Sequence, residues 1–150
     1  LAAALDLAAF DTEALKAGAI GEAASRVAAV PEVRANLLRL QQDFANQPGG
    51  AVLDGRDIGT VIAPYAQAKL FVTASPEARA RRRHAELLGR GEAAVFADVL
   101  SDIHRRDVRD SGRSVAPLLA APDALPLDNT ALGPEQSFFA ALALLAARGL

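Results

Sequence analysis

Leu70-Phe71-Val72-Thr73-Ala74-Ser75-Pro76-Glu77 is an apolar run that passes without a linker into the start of a helix. Within Ala68 to Ala74, the residues Leu70, Phe71 and Val72 read as a strand buried on both faces, as in parallel sheets covered by helices on each side. Ser75 suits a helix N-cap, Pro76 the first helical position, and Glu77 the positive end of the helix dipole. A strand feeding a helix at once is an α/β junction.

Outward from that junction the same alternation repeats. Gly89 and Gly91 end the helix, and Val95, Phe96, Val99, Leu100 and Ile103 open another with period 3.6. After a proline-containing loop, Ala124 to Leu127 forms a short strand, and Gly133-Pro134-Glu135 starts a last helix with Phe138, Leu142 and Leu145 facing inward. On the N-terminal side, Ala51-Val52-Leu53 is a further short strand stopping at Asp54. Before it, Pro31 divides a helical region: Gly18 to Ala29 precedes the break, and Val33, Leu37, Leu40 and Phe44 form a buried stripe after it, up to the turn Asn46-Gln47-Pro48-Gly49-Gly50. The fold class is therefore α/β, a parallel sheet with flanking helices.

The 150 residues are 51% hydrophobic, enough for the core of one domain, and the formal charge of −2 supplies no global basic field of the kind a nucleic-acid binder uses. Charge is nonetheless uneven. Nine of the fourteen arginines lie between Arg79 and Arg113, against six acids in the same stretch, so an anion can dock there. Cysteine is absent, which agrees with a reducing cytoplasm, and no apolar run approaches the roughly 20 residues that cross a bilayer. The Ala-rich start has no basic n-region and is interrupted by Asp6 and Asp11, unlike a secretory signal. Without methionine even at position 1, the chain is expected to be a fragment or a processed product.

Two constellations carry candidate chemistry. Asp54-Gly55-Arg56-Asp57-Ile58-Gly59-Thr60 sits at the carboxyl end of the 51–53 run, where open α/β sheets bind ligands. Arg56 offers a planar fork for phosphate, Asp57 an acceptor, and the glycines a close backbone approach; the competing reading is a strand-end turn with a local ion pair. Arg106, Arg109, Asp110 and Arg113 fall at i, i+3, i+4 and i+7, on one helix face, as a phosphate clamp or as a solvated face with an ordinary i,i+4 pair. Arg79, Arg81, Arg82 and Arg83 put four cations on one helix, either a nucleotide contact in which an anion relieves their repulsion or a solvated basic face. His84 and His104 have no second ligand at metal spacing, so no protein-built metal centre is expected, and neither a Gly-x-Ser-x-Gly elbow nor a cysteine nucleophile is present.

Ala23 to Arg34, Asp54 to Thr60, Thr73 to Glu77 and the run Arg106-Asp107-Val108-Arg109-Asp110-Ser111-Gly112-Arg113-Ser114-Val115-Ala116-Pro117-Leu118, followed by Asp123-Ala124-Leu125, together resemble bacterial cytidylate kinases in order and spacing. The resemblance implies a P-loop nucleoside-monophosphate-kinase fold and transfer of phosphate from ATP, with Mg²⁺, to CMP or dCMP. It implies a monophosphate-binding insert over about 1–47, a core over 48–78 and 122–150, and a lid over 79–118. By this resemblance Ser25 meets the cytosine ring, Asp57 and Arg56 the CMP base and phosphate, and Arg34 the same pocket. Asp110 binds the sugar hydroxyls, Arg106 and Arg113 bridge the phosphates as catalytic groups, together with Arg56, and Arg82, Arg83 and Arg109 lie at the lid beside ATP. A monomeric cytoplasmic enzyme is implied, without nucleic-acid or membrane partners.

The chain departs from the family in two respects, the milder being Gly112 where asparagine or another polar residue often stands, which loosens the lid at Arg113 without removing charge. No Gly-x-x-x-x-Gly-Lys-[Ser/Thr] occurs in the chain, although in the family that loop cradles the ATP phosphates and lies upstream of Leu1. A gap is therefore expected in the sheet, between the strands at Val52 and Phe71, and no turnover is expected from the chain alone. Three alternatives stay open: a UMP or UMP/CMP kinase, an arginine-rich module for RNA or another polyanion, and a non-functional remnant of a kinase gene.

Overall fold

The computed structural model describes residues 23, 24, 26, 27, 30–112 and 118–150, with the backbone alone described at residues 109–111. The chain divides after Asp54 into two units. In the first, residues 23, 24, 26 and 27 are helical, and helix α1 spans Pro31–Ala45. Pro31 takes its first turn, as expected, and the Asn46 amide returns to the Gln42 carbonyl at 3.0 Å to close its end. The expected buried stripe is only half covered. Val33, Leu37 and Leu40 are partly exposed and Phe44 is 46% exposed, because no described element of this unit lays a second apolar face over α1.

The second unit is built on two parallel strands, β1 (Leu70–Thr73) and β2 (Leu125–Asp128), paired in the register Leu70↔Leu125 to Thr73↔Asp128. The Leu125 amide donates to the Lys69 carbonyl and the Asn129 amide to the Thr73 carbonyl, both at 2.9 Å. Alternate residues of a parallel strand bond to the same neighbour, so Pro126, lying between these donors, loses no ladder bond to β1. Strand β2 begins one residue later than the sequence suggests.

Strand β1 corrects the reading of a strand buried on both faces. It is shorter than Ala68 to Ala74, and Val72 is 54% exposed, because the sheet among the described residues has two strands and covers one side only. Nor do residues 51–53 form a strand. They join no ladder, and Val52 is 97% exposed: an extended run without a neighbouring strand has no partner for its backbone groups. Among the described residues the sheet has two strands, and residues 51–53 belong to no ladder.

Helix α2 (Pro76–Gly89) starts as the junction predicts, with Ser75 Oγ accepting from the Ala78 amide at 3.2 Å and Pro76 at the first position. Replacing Ser75 with alanine is expected to lower the unfolding free energy by about 1 kcal/mol, read from the urea midpoint at unchanged slope. The helix ends on Gly91 at φ +75°, with the Glu92 amide donating to the Leu87 carbonyl and the Gly91 amide to that of Leu88, each at 3.0 Å. This is a Schellman closure, which requires the left-handed conformation glycine adopts without strain.

Helix α3 (Phe96–Ser111) packs back on α2, with its Val99 buried and the ring of His84 meeting that of Phe96 edge-on at 5.9 Å; Ala78 and Ala80 of α2 are buried as well. Helix α4 (Pro134–Ala146) follows β2, and its Gln136 Oε1 accepts from the Gly133 amide at 2.9 Å. Its expected inward face is corrected as well: Phe138 is 58% and Leu142 45% exposed, with Leu145 partly covered. A helix this apolar on all sides has more hydrophobic surface than a two-stranded sheet can cover. No helix among the described residues is long and apolar enough to cross a membrane.

Candidate functional site

The carboxyl ends of β1 and β2 come together because parallel strands finish on the same side. There the Ser75 amide donates to Thr130 Oγ1 at 2.8 Å, and the Thr130 amide donates to Asp128 Oδ1 at 2.8 Å, so the loops leaving the two strands are stitched to each other. Arg82 reaches the same loop from α2. Its guanidinium donates to Asn129 Oδ1 (3.0 Å), the Asn129 carbonyl (2.5 Å) and the Leu132 carbonyl (3.2 Å). Arg79, in the first turn of α2, donates from Nε to the Ala74 carbonyl at 3.1 Å and through its fork to both oxygens of Asp107 on α3, at 2.8 and 2.7 Å.

Protein groups thus engage most of the arginine cluster of α2, Arg83 pairing with Glu86 at 2.8 Å. Carboxylates and carbonyls of the fold offset part of the repulsion within this cluster. Sequence reasoning missed these partners, since Asn129, Leu132 and Asp107 lie 28 to 50 residues from their arginines.

Asp54 ends the first unit, and the rest of its motif, Gly55 to Thr60, opens the second. Asp57 is 9% exposed and Arg56 half-buried. After them the chain makes a π-helical turn, Ile58–Ile62, whose bonds return to the Asp57 carbonyl from the amides of Val61 (2.8 Å) and Ile62 (3.2 Å), and to the Ile58 carbonyl from Ala63 (2.7 Å). Single π-turns recur at functional sites because they re-aim neighbouring side chains. Gly59 is needed for closeness: a Cβ there would lie 3.3 Å from Lys69 Cδ and 3.4 Å from the Ala121 Cβ. Lys69 in turn donates to both Asp123 oxygens (2.9 and 2.7 Å) and to the Pro64 carbonyl (2.5 Å), with 8% of its side chain exposed. Nothing in the sequence flags Lys69; the strand register brings it to Asp123, 54 residues away.

Helix α3 carries Arg106, Arg109 and Asp110 on successive turns, as the spacing predicts, with Arg106 exposed. The side chains of Arg109 and Asp110 lie outside the described residues, as do Arg113 and Ser25. Arg34, half-buried on α1, belongs to the other unit. Among the described residues no three or more His, Asp or Glu side chains gather as cation ligands.

Four carboxylates are held below their ordinary range. The cause is first the hydrogen bond from Arg79 for Asp107, from Lys69 for Asp123, from Thr130 for Asp128 and from Arg83 for Glu86. A depressed folded pKa stabilises the fold fully above the unfolded value of about 4 and is lost as pH falls through the folded value. Thermal midpoints are therefore expected to stay level down to about pH 5 and to fall steeply below about pH 4, and less steeply in Asp123→Asn, which starts lower at neutral pH.

The cytidylate kinase family model matches residues 8–145, across both units. The chain belongs to the cytidylate kinase family. A cytidylate kinase of Xanthobacter autotrophicus is 64% identical over 144 residues, covering 96% of this chain and 69% of the relative. Those of Azorhizobium caulinodans and Caulobacter vibrioides are 60% and 57% identical over 141 residues, covering 94% of the chain and 68% and 66% of the relatives. Membership in the cytidylate kinase family carries with it the P-loop nucleoside-monophosphate-kinase fold. The parallel pair β1–β2 with helices α2, α3 and α4 is the part of that cytidylate kinase architecture seen here.

Proposed function

We propose that this chain forms the monophosphate and lid side of an enzyme that phosphorylates CMP and dCMP with ATP. The family match across residues 8–145 is the observation that carries this reading. In the reaction a phosphate oxygen of CMP attacks the γ-phosphorus of ATP, a new P–O bond forms, and the bond from that phosphorus to the β-γ bridging oxygen breaks, leaving ADP and CDP. Such transfer asks a protein for alignment and neutralisation rather than for a nucleophile.

Within this reading Ser25 and Asp57 select the cytosine ring, Arg34 and Arg56 hold the CMP phosphate, and Asp110 holds the sugar hydroxyls. Arg106 and Arg113 neutralise charge on the transferred group, and Arg82, Arg83 and Arg109 serve the donor side of the lid. The α2–α3 hairpin supports a lid over about 79–118, beside a core of 48–78 and 122–150 and an insert of 1–47. When bound, Mg²⁺ would neutralise charge on the ATP phosphates; the described residues offer no ligand set for it, and no step runs through it. The same reading takes the enzyme to be a cytoplasmic monomer with nucleotides rather than nucleic acids or membranes as partners.

Coupled ADP release tests the reading, on the 150-residue chain alone and on the chain fused to the phosphate-loop segment of the Xanthobacter autotrophicus relative. The fusion is expected to turn over CMP and dCMP in preference to UMP, and the chain alone to turn over none. Preference for UMP, or a fusion silent with every monophosphate, would overturn it.

A further inference from the structure

We infer that Arg79 is a positioning residue that sets where the Arg106–Asp110 turn of α3 stands relative to the carboxyl end of β1. One guanidinium spends three donors on two different elements: Nε on the Ala74 carbonyl, directly after β1, and both terminal nitrogens on Asp107 of α3. Asp107 adjoins Arg106 and precedes Asp110 by three residues, so the turn carrying the proposed phosphate and sugar contacts is the turn that Arg79 grips.

Packing alone fixes this placement weakly. Ala78 and Ala80, the buried residues of α2, stand two positions apart and so on nearly opposite sides of the helix, so no more than one of their methyl groups faces α3 beside the edge-on His84–Phe96 contact, and small residues interdigitate little and resist sliding poorly. A bidentate fork, by contrast, is directional, and its third bond leaves the guanidinium no freedom to follow α3 if that helix shifts. Both partners keep 37% of their side chains exposed, so the pair adds little to global stability while it orients one helix on another. Lysine, with one charged centre on a flexible stem, cannot reproduce three bonds in fixed directions. The catalytic consequence rests on the function proposed above; the geometric one does not.

The absence of cysteine lets spin labels be placed at two introduced sites, Arg81→Cys on α2 and Ser101→Cys on α3, both exposed positions outside the proposed contacts. Pulsed electron resonance on the full chain is expected to give one narrow distance distribution, at least doubled in width by Arg79→Lys and by Asp107→Asn. Arg90→Lys, which perturbs only the Arg90–Glu86 pair within the helix end, is expected to leave it unchanged. In the fusion enzyme Arg79→Lys is expected to lower kcat/KM for CMP about tenfold. An Arg79→Lys distribution as narrow as the parent's overturns the inference, as does an unchanged kcat/KM despite broadening. If Arg79→Lys does not fold, Asp107→Asn, which keeps the bond to Ala74, carries the same expectation and the same refutation. An unsubstituted fusion without CMP turnover would overturn the proposed function instead, and the label distances would still decide the positioning.

Discussion

Asp57→Asn in the fusion enzyme is expected to raise KM for CMP about 10²-fold and to erode its preference for CMP over UMP. The turn that follows is held by the Asp57 carbonyl, which accepts from Val61 and Ile62, and replacing the side chain leaves those bonds in place. The residue is 9% exposed, at the start of a π-turn that a packed glycine and the Lys69 stem keep in position. A buried carboxylate that accepts from a ligand donor discriminates strongly, since a ligand lacking the donor forgoes a charge-assisted hydrogen bond in a site shielded from water. Asparagine keeps the volume and reverses part of the hydrogen-bond polarity. Steady-state kinetics with CMP and UMP, beside a melting curve, checks both halves. A fall of the midpoint by about ten degrees with unaltered selectivity would assign Asp57 to the fold rather than to base recognition.

The opposite division is expected of Arg106→Ala, which should lower kcat about 10²-fold, roughly 2.7 kcal/mol of transition-state stabilisation, while the KM values change by less than about threefold. Arg106 is exposed on α3, about two turns beyond the buried Val99 that seats the helix on α2, so its truncation removes little packing. Charge that develops on the transferred phosphoryl group makes a guanidinium worth more in the transition state than in the ground state, and the loss falls on kcat. Arg106→Lys should recover part of the rate through charge without the fork. Single-turnover quench flow separates this from slowed product release, and a variant with unchanged single-turnover rate would remove Arg106 from the catalytic groups.

Local order was legible wherever one short stretch holds the whole cause. Ser75 and Pro76 start α2, Gly91 closes it, and Pro31 opens α1, because caps, fixed φ and left-handed glycine act over four or five residues. The spacing of Arg106, Arg109 and Asp110 likewise placed them on one helix, and the joint motifs pointed to the family that the comparison then matched.

Burial was a different matter. The face of β1, the stripe of α1 and the apolar residues of α4 were all read as inward, yet Val72, Phe44 and Phe138 are exposed, because periodicity marks which side of an element is apolar and not whether anything covers it. The same limit applies to the cations. That Arg79 grips Asp107, Arg82 the Asn129 loop and Lys69 Asp123 follows from the parallel register and the α2–α3 packing, which bring together residues 28 to 54 positions apart. Elements and motif identity are encoded in short-range stereochemistry and in residue order; partner choice is encoded in long-range closure, where many arrangements are compatible with one pattern and the packed chain selects among them.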